Sequence, residues 1–297
     1  MLTQSQKQLY NASIKIVYRD EAKMLFRVYS DAIKIKYFPG QYGALGLYSD
    51  HPRIDKLKNS MIQEPILVKR AYSLSSSILD DNNQLINQNG VDYYEFYIDL
   101  VLEKDTPKPR LSPRLFVLND DDRLFLGPKI VGHYTLPAET AQTNVLLIAT
   151  TTGESPHNSI IAQLLRIDRD VHISHVVIGK KGWVSAYHKQ HQTLMKMFSG
   201  YRYIPITVSS GYQGLEQCVA EWLKDQKKSQ DEIGWALTPE NSHIFLCGDP
   251  QMIGTPQKLG AWSYEYPDYG LMRIFEQYRF KAATRFQTGN ISFESYW

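Results

Sequence analysis

The chain has only two cysteines, Cys218 and Cys247, in 297 residues. That excludes a disulfide framework, a structural zinc site made of cysteines and a four-cysteine iron–sulfur cluster within this chain. No run approaches the roughly 18 apolar residues that a membrane helix requires, so no membrane association is expected. The opening stretch MLTQSQKQLYNAS lacks both the basic start and the apolar core of a secretory signal, and a cytoplasmic location is expected. Excess charge is also missing. A formal net charge of +2, with no basic run interleaved with aromatics, argues against a nucleic-acid partner. No internal repeat is present.

The remaining composition is that of an ordinary globular protein, with 43% hydrophobic and 22% charged residues. A single hydrophobic core stops growing at roughly 250 to 300 residues, so two cores are expected. The pattern changes near Pro137, which divides the chain into residues 1–137 and 138–297. The first part reads as short strands rich in β-branched and aromatic residues: Ser13 to Tyr18, Lys23 to Tyr29, Gln41 to Tyr48, Ile66 to Leu74 and Arg123 to Leu126. In YYEFYIDLVL, Tyr94, Phe96, Ile98, Leu100 and Leu102 fall on one face, with Tyr93, Glu95, Tyr97 and Asp99 on the other. Regularly spaced strands without long helices indicate an antiparallel β-barrel. The second part begins with NVLLIAT (Asn144 to Thr150), a continuous apolar run of the kind found in a parallel strand covered on both faces. The loop TTGESP leads from it into a helix striped by Ile160, Ile161, Leu164 and Leu165. The runs HVVIG, YIPITVS and HIFLCG alternate with helical stretches such as Leu215 to Asp225. This is an α/β parallel sheet, with ligands expected at the carboxyl ends of its strands. Two long polar connections, Asp50 to Gln63 and Asp80 to Gly90, interrupt the first part, and Asp80 to Asn83 reads as a mobile hairpin end.

Within the first part lies Arg70-Ala71-Tyr72-Ser73-Leu74-Ser75-Ser76. Each polar side chain in it suits a different portion of a flavin. A guanidinium can fork onto a pyrophosphate, a tyrosine ring can stack on an isoalloxazine face, and a serine hydroxyl can hydrogen-bond a ring nitrogen. A strand with merely alternating side chains accounts for the same string. Other pieces follow in order along the chain: FPGQY (Phe38 to Tyr42) before it, RLSPRL (Arg110 to Leu115) after it, CGDPQM (Cys247 to Met252) far downstream, and a terminal Tyr296-Trp297.

Taken together these motifs resemble the bacterial type of ferredoxin/flavodoxin-NADP(H) reductase, in the FAD-dependent ferredoxin reductase superfamily, from about Ile14 to Trp297. The resemblance implies an N-terminal FAD domain and a C-terminal NADP(H) domain whose tail returns to the flavin. It implies that Arg70, Ala71, Tyr72 and Ser73 hold FAD, continued by Tyr97, Ile98, Arg110, Leu111 and Ser112, with Tyr296 and Trp297 folding over it. Ser112-Pro113 also reads as a helix start, Ser as N-cap and Pro first, with backbone donors toward the pyrophosphate. Helix capping alone would explain the pair.

For the nucleotide, ATTTGESP (Ala149 to Pro156) stands where the family has a glycine-rich turn, placing Thr152 at the cofactor. Thr151 replaces a glycine, and Glu154 puts a carboxylate near bound phosphates, a repulsive placement unless it points away. The resemblance sets Cys247 beside the nicotinamide, where a buried structural cysteine is the alternative, and has Asp249, Pro250 and Gln251 lining the dinucleotide. Lys180, Lys181 and Ser209 are the candidates for a 2′-phosphate, although the family arginine after Ser209 is missing. Ser73 would bond the flavin, and Glu294 would orient the nicotinamide or relay protons. The implied activity is electron transfer between NADPH and a one-electron carrier, a ferredoxin or flavodoxin, bound transiently through a basic rim of Lys104, Lys108, Arg110 and Arg114. A monomer is expected. Two alternatives stay open: an NADH-dependent reductase serving an oxygenase or another acceptor, and a flavin-binding protein without pyridine-nucleotide activity.

Overall fold

A computed structural model describes residues 9–56, 64–102, 110–137, 143–167, 172–258, 264–283 and 288–296. The first part forms six antiparallel strands: β1 (Ala12–Arg19), β2 (Lys23–Ser30), β3 (Tyr42–Tyr48), β4 (Leu67–Ser75), β5 (Tyr94–Asp99) and β6 (Arg123–Val131). They close into a barrel in the order β1-β2-β5-β4-β3-β6, with Ala12 of β1 opposite Leu124 of β6. The short helix α1 (Ser112–Leu115) precedes β6. Inward side chains such as Ile14, Phe26, Leu45, Leu74, Phe96 and Leu124 build the barrel core, and Phe26 stacks on Phe96 at 5.7 Å.

The second part is a five-stranded parallel sheet in the order β13-β10-β7-β8-β9. It comprises β7 (Asn144–Thr150), β8 (Ile173–Lys180), β9 (Tyr201–Val208), β10 (Ser242–Gly248) and β13 (Ile291–Ser295). Helices α2 (Glu154–Arg166), α3 (His188–Met197), α4 (Gln213–Lys224), α5 (Gln226–Ile233), α6 (Pro250–Ile253) and α7 (Leu271–Gln277) surround it. A two-stranded pair, β11 (Gln257–Lys258) and β12 (Tyr264–Glu265), lies beside it. The apolar run of β7 has the expected cause. Leu146 and Ile148 point to one face, packed with Val219 and Trp222 of α4, while Val145 and Leu147 point to the other with Ile160 and Ile161 of α2.

Several elements differ from the sequence expectation. Strand β5 ends at Asp99, and the chain turns away as Leu100 donates its backbone N–H to Ala22. The alternation in β5 does not expose one face, because Tyr97 and Glu95 are buried against the second part, Tyr97 edge-on to Tyr187 at 5.4 Å. Strand β6 runs to Val131 instead of Leu126. At the Asp80 turn, Asp80 Oδ1 accepts the N–H groups of Asn82 and Gln84, and Leu79 pairs with Leu85. Helix α2 has no solvent face along its first half: every residue from Glu154 to Ala162 is buried, because the helix is wedged between the sheet and β4. Among the described residues no helix is long and apolar enough to cross a membrane.

Gly40 in the FPGQY segment sits at this seam. Its N–H donates to Ser159 Oγ of α2 at 3.1 Å, its φ is +92°, and a Cβ there would come within 1.7 Å of the Tyr134 carbonyl oxygen. Only glycine tolerates both conditions. Gly40→Ala is therefore expected to lower unfolding stability by about 3 kcal/mol or more, measured by urea denaturation. A loss below about 1 kcal/mol would contradict this placement of the seam.

Candidate functional site at the seam

A cleft of about 400 Å³ opens where β4 and β5 face the carboxyl end of the parallel sheet. Strand β4 contributes Arg70, Ala71, Tyr72 and Ser73, and the register of β3 against β4 places Tyr42 opposite Ser73. The next strand adds Tyr97, Ile98 and Asp99, and the segment before and into α1 adds Arg110, Leu111 and Ser112. From the second part come Thr152, Glu294, Ser295 and Tyr296. Residues separated by more than 200 positions thus share one surface, as the ordered motifs imply.

Tyr72 is half-buried, and the Arg70 and Arg110 guanidiniums both lie close enough to oppose the rise that burial imposes on its phenol. One ring and two cations converge on the same wall. Tyr97 is buried, and its hydroxyl accepts the Ala186 N–H at 3.1 Å. Ser73 is the meeting point. Its hydroxyl donates to Glu294 Oε2 at 3.2 Å and accepts from the Tyr296 hydroxyl at 2.8 Å. Burial pushes the Glu294 carboxyl up to about 7, against the lowering effect of the Ser73 hydroxyl. It can therefore gain or lose a proton near neutral pH.

Cys247 does not line the cleft. It is fully buried in β10, in register with Glu294 of β13 and Ala149 of β7, and its thiol interacts with Tyr296. Burial, and after it the Glu294 charge, raises the thiol well above its ordinary value, so it stays protonated. The loop after β7 approaches the end of β10 so closely that a Cβ on Gly153 would come within 2.5 Å of the Cys247 carbonyl oxygen.

Thr151, which the resemblance sets at a glycine position, has a glycine-like backbone with φ +45°. That is strained for a β-branched residue. Its hydroxyl donates to Asp99 Oδ2 at 2.6 Å, and the Thr152 hydroxyl donates to the same oxygen at 3.0 Å. Asp99 thus holds the loop to the barrel, and burial raises its carboxyl against the pull of the two threonines. Glu154 points away from the cleft. It is fully buried, accepts a bond from Ser185 Oγ and lies 3.7 Å from His191 Nε2, which removes the expected repulsion of phosphates.

Around the carboxyl ends of the sheet lie the other nucleotide candidates. Lys180 is opposite Val208 in the β8–β9 register, so the exposed Lys181 and Ser209 follow side by side past the strand ends. Asp249 caps α6 by accepting the Gln251 N–H at 2.8 Å and also accepts the Tyr212 hydroxyl at 2.8 Å. Pro250 is the first residue of α6, and Gln251 is exposed.

Two expectations need correction. Ser112 is not an N-cap: Leu111 already has helical φ and ψ and occupies that position, while the Ser112 hydroxyl accepts the Val101 N–H at 3.0 Å. Arg114 is not part of a basic rim. It is fully buried, donating to the carbonyls of Arg110 and Ser49, both at 2.6 Å. Arg110 faces the cleft, and Lys104, Lys108 and Trp297 lie outside the described residues. Sequence reasoning missed Tyr42, Asp99, Val101 and Ser295 as cleft residues. Tyr42 ends the FPGQY segment, and Asp99 ends a strand already singled out, so position at a strand end was the available signal.

No family model matches the chain. Among curated proteins it is similar to the flavodoxin/ferredoxin–NADP reductase of Escherichia coli strain K12, at 27% identity over 234 residues that span 78% of this chain and 82% of that protein. Among solved structures, a ferredoxin NADP+ reductase from Neisseria gonorrhoeae with bound FAD and NADP superposes with a TM-score of 0.63 at 15% identity, over 96% of this chain and 97% of that one. A ferredoxin-NADP+ reductase from Plasmodium falciparum with 2'P-AMP gives 0.59 at 17% identity, over 97% and 98%.

The raised Glu294 carboxyl has a measurable consequence. Between the ordinary value of 4.5 and about 7 the folded state binds more protons than the unfolded one, so stability falls as pH rises through that window. Glu294→Gln should flatten the decline, worth at most about 3 kcal/mol, in urea titrations at several pH values. Identical slopes for the two proteins would contradict the assignment.

Proposed function

We propose that the chain is a ferredoxin/flavodoxin-NADP(H) reductase-like flavoenzyme that moves electrons between NADPH and a one-electron carrier, a ferredoxin or flavodoxin. The observation that carries this reading is the convergence of Tyr72, Arg70, Arg110, Ser73, Glu294 and Tyr296 on one cleft at the seam of the barrel and the parallel sheet. The reductase names of the similar proteins support it.

The cleft residues fit FAD. Tyr72 presents a ring beside two guanidiniums suited to a pyrophosphate, and Ile98 and Leu111 provide apolar wall. Bound there, FAD would convert between a two-electron donor and one-electron acceptors. Arg70 and Arg110 would hold its phosphates, and Tyr72 would lie against its ring system. The Ser73 hydroxyl offers a hydrogen bond whose partners, Glu294 and Tyr296, set its direction. Glu294 holds or releases a proton beside Ser73, and Tyr296 packs beside the Cys247 thiol. Thr152, Asp249, Pro250 and Gln251 line the nucleotide path at the strand ends, with Lys180, Lys181 and Ser209 at the 2′-phosphate end. The functional division follows residues 1–137 and 138–297. The protein acts as a cytoplasmic monomer that meets its acidic carrier transiently through charge.

NADH in place of NADPH is the second reading, favoured by one observation: Ser209-Ser210-Gly211-Tyr212 contains no arginine. Anaerobic rapid mixing with each nucleotide separates the two. NADPH is expected to bleach the flavin faster, and Lys181→Ala to slow the NADPH reaction about tenfold while sparing NADH. An equal loss for both nucleotides would refute the lysine's role. Faster bleaching by NADH in the unsubstituted protein would favour the second reading. Arg70→Ala should weaken FAD retention roughly 10- to 100-fold in equilibrium dialysis, as for a lost charge-assisted bond.

A further inference from the structure

Outside the cleft, under helices α2 and α3, a group of polar side chains is packed where water does not reach. Glu154, His157, Asn158, His175 and His191 each have no measurable exposed surface. Around them stand Ile161, Val177, Leu194, Tyr201 and Tyr203. None of the five is needed for the electron-transfer reading.

The donors are aimed at one another. Glu154, the first residue of α2, has one carboxylate oxygen engaged by Ser185, while Oε2 has no protein hydrogen-bond partner. His191 on α3 has Nδ1 at 2.8 Å from the Tyr201 hydroxyl, while its Nε2 lies 3.7 Å from Glu154 Oε2 with no hydrogen bond. His175 on β8 has no partner for either ring nitrogen, and its ring stands edge-on to His191 at 4.9 Å. One donor atom from each of the three lies within 4.8 Å of the others.

An ordinary Glu154–His191 ion pair leaves this arrangement unexplained. At 3.7 Å it is longer than a hydrogen bond, and it does nothing for His175, whose two nitrogens are buried without compensation. A single divalent cation would give Glu154 Oε2, His191 Nε2 and one ring nitrogen of His175 a partner at once. We propose that Glu154, His175 and His191 form a metal site for a zinc-type divalent ion.

The donor set is two imidazoles and one carboxylate, which suits zinc with a fourth position left over. Bonds of about 2.0–2.1 Å place ligand atoms roughly 3.3 Å apart, so the Glu154–His191 pair at 3.7 Å needs little adjustment and His175 has to close from within 4.8 Å. Outer contacts orient two of the three ligands: with metal on Nε2, the His191 Nδ1–H donates to the Tyr201 oxygen, and Ser185 holds the other oxygen of Glu154. His157 stands one helical turn along α2 from Glu154, with its ring edge-on to His175 at 5.4 Å and its Nδ1 also buried without a partner. The site joins the start of α2, the first part of β8 and α3. Glu154 directly follows the Thr151–Gly153 turn, so a metal there would stiffen the loop from behind.

The test uses the full chain and needs no flavin chemistry. Protein from zinc-supplemented culture is assayed for metal by mass spectrometry. It is then unfolded in chelator and refolded with zinc alone, with cobalt(II) alone or with chelator. The proposal predicts one zinc per chain, a melting temperature higher by roughly 5 °C or more after refolding with zinc, and visible cobalt bands of a low-coordinate nitrogen–oxygen site. His175→Asn and Glu154→Gln should each abolish the stoichiometric metal and the melting shift. Wild-type protein with well below one metal per chain and an unchanged melting temperature would overturn the proposal and leave a plain buried ion pair. Zinc retained equally by both variants would also overturn it.

Discussion

The hydrogen bonds gathered at Ser73 hold the two halves of the molecule in working register. Its hydroxyl takes a bond from Tyr296 and gives one to Glu294, both from the C-terminal tail. Its carbonyl accepts from Ser155 Oγ of α2, and the next carbonyl, that of Leu74, accepts from Ser159 Oγ. One barrel strand is therefore gripped from the helix that follows the first parallel strand and from the last strand of the sheet. Buried bonds of this kind are strengthened by the low local dielectric and costly to leave half-made, so the seam has one arrangement that satisfies all of them. The cleft takes its shape from that arrangement.

The same economy of buried polar groups recurs along the interface. Glu95 of β5 accepts from Arg27, Ser77 and Tyr187, and Tyr187 also bonds Ser75. Gln190 of α3 accepts the N–H groups of Ile78 and Leu79. Asp99 ties down the strained Thr151 turn. Each places a group of the second half on a strand or loop of the first, so positions of cleft residues are set from both sides. Two carboxyls in this region, Asp99 and Glu294, are raised chiefly by burial, Glu294 to about 7.

Much of this was legible in the residues. The barrel strands, the covered strand at Asn144 to Thr150 and the carboxyl-end placement of the CGDPQM loop follow from alternation, apolar runs and turn residues. The cleft motifs were legible because their chemistry is local. Two of the failures share a physical cause, that burial of a polar residue leaves no mark on a hydropathy pattern. Arg114 reads as surface charge yet is enclosed, with two backbone carbonyls accepting from its terminal nitrogens. Ser112 has the composition of a cap, but the helix begins a residue earlier and its hydroxyl serves Val101. Helix α3, HKQHQTLMKM, buries only His191 and Leu194, too few apolar residues for a periodic signal. The tail ISFES is short and mixed, and its parallel pairing with β10 depends on a partner more than 40 residues away.

The central claim is that the seam beside Tyr72 is built around a flavin. The most direct measurement is the flavin content of gently purified protein, by visible absorbance and by the mass of the molecule released on denaturation. One FAD per chain, lost when Tyr72 is replaced by alanine together with Arg70, is the predicted result. A colourless protein that takes up no FAD at micromolar concentration would contradict the account.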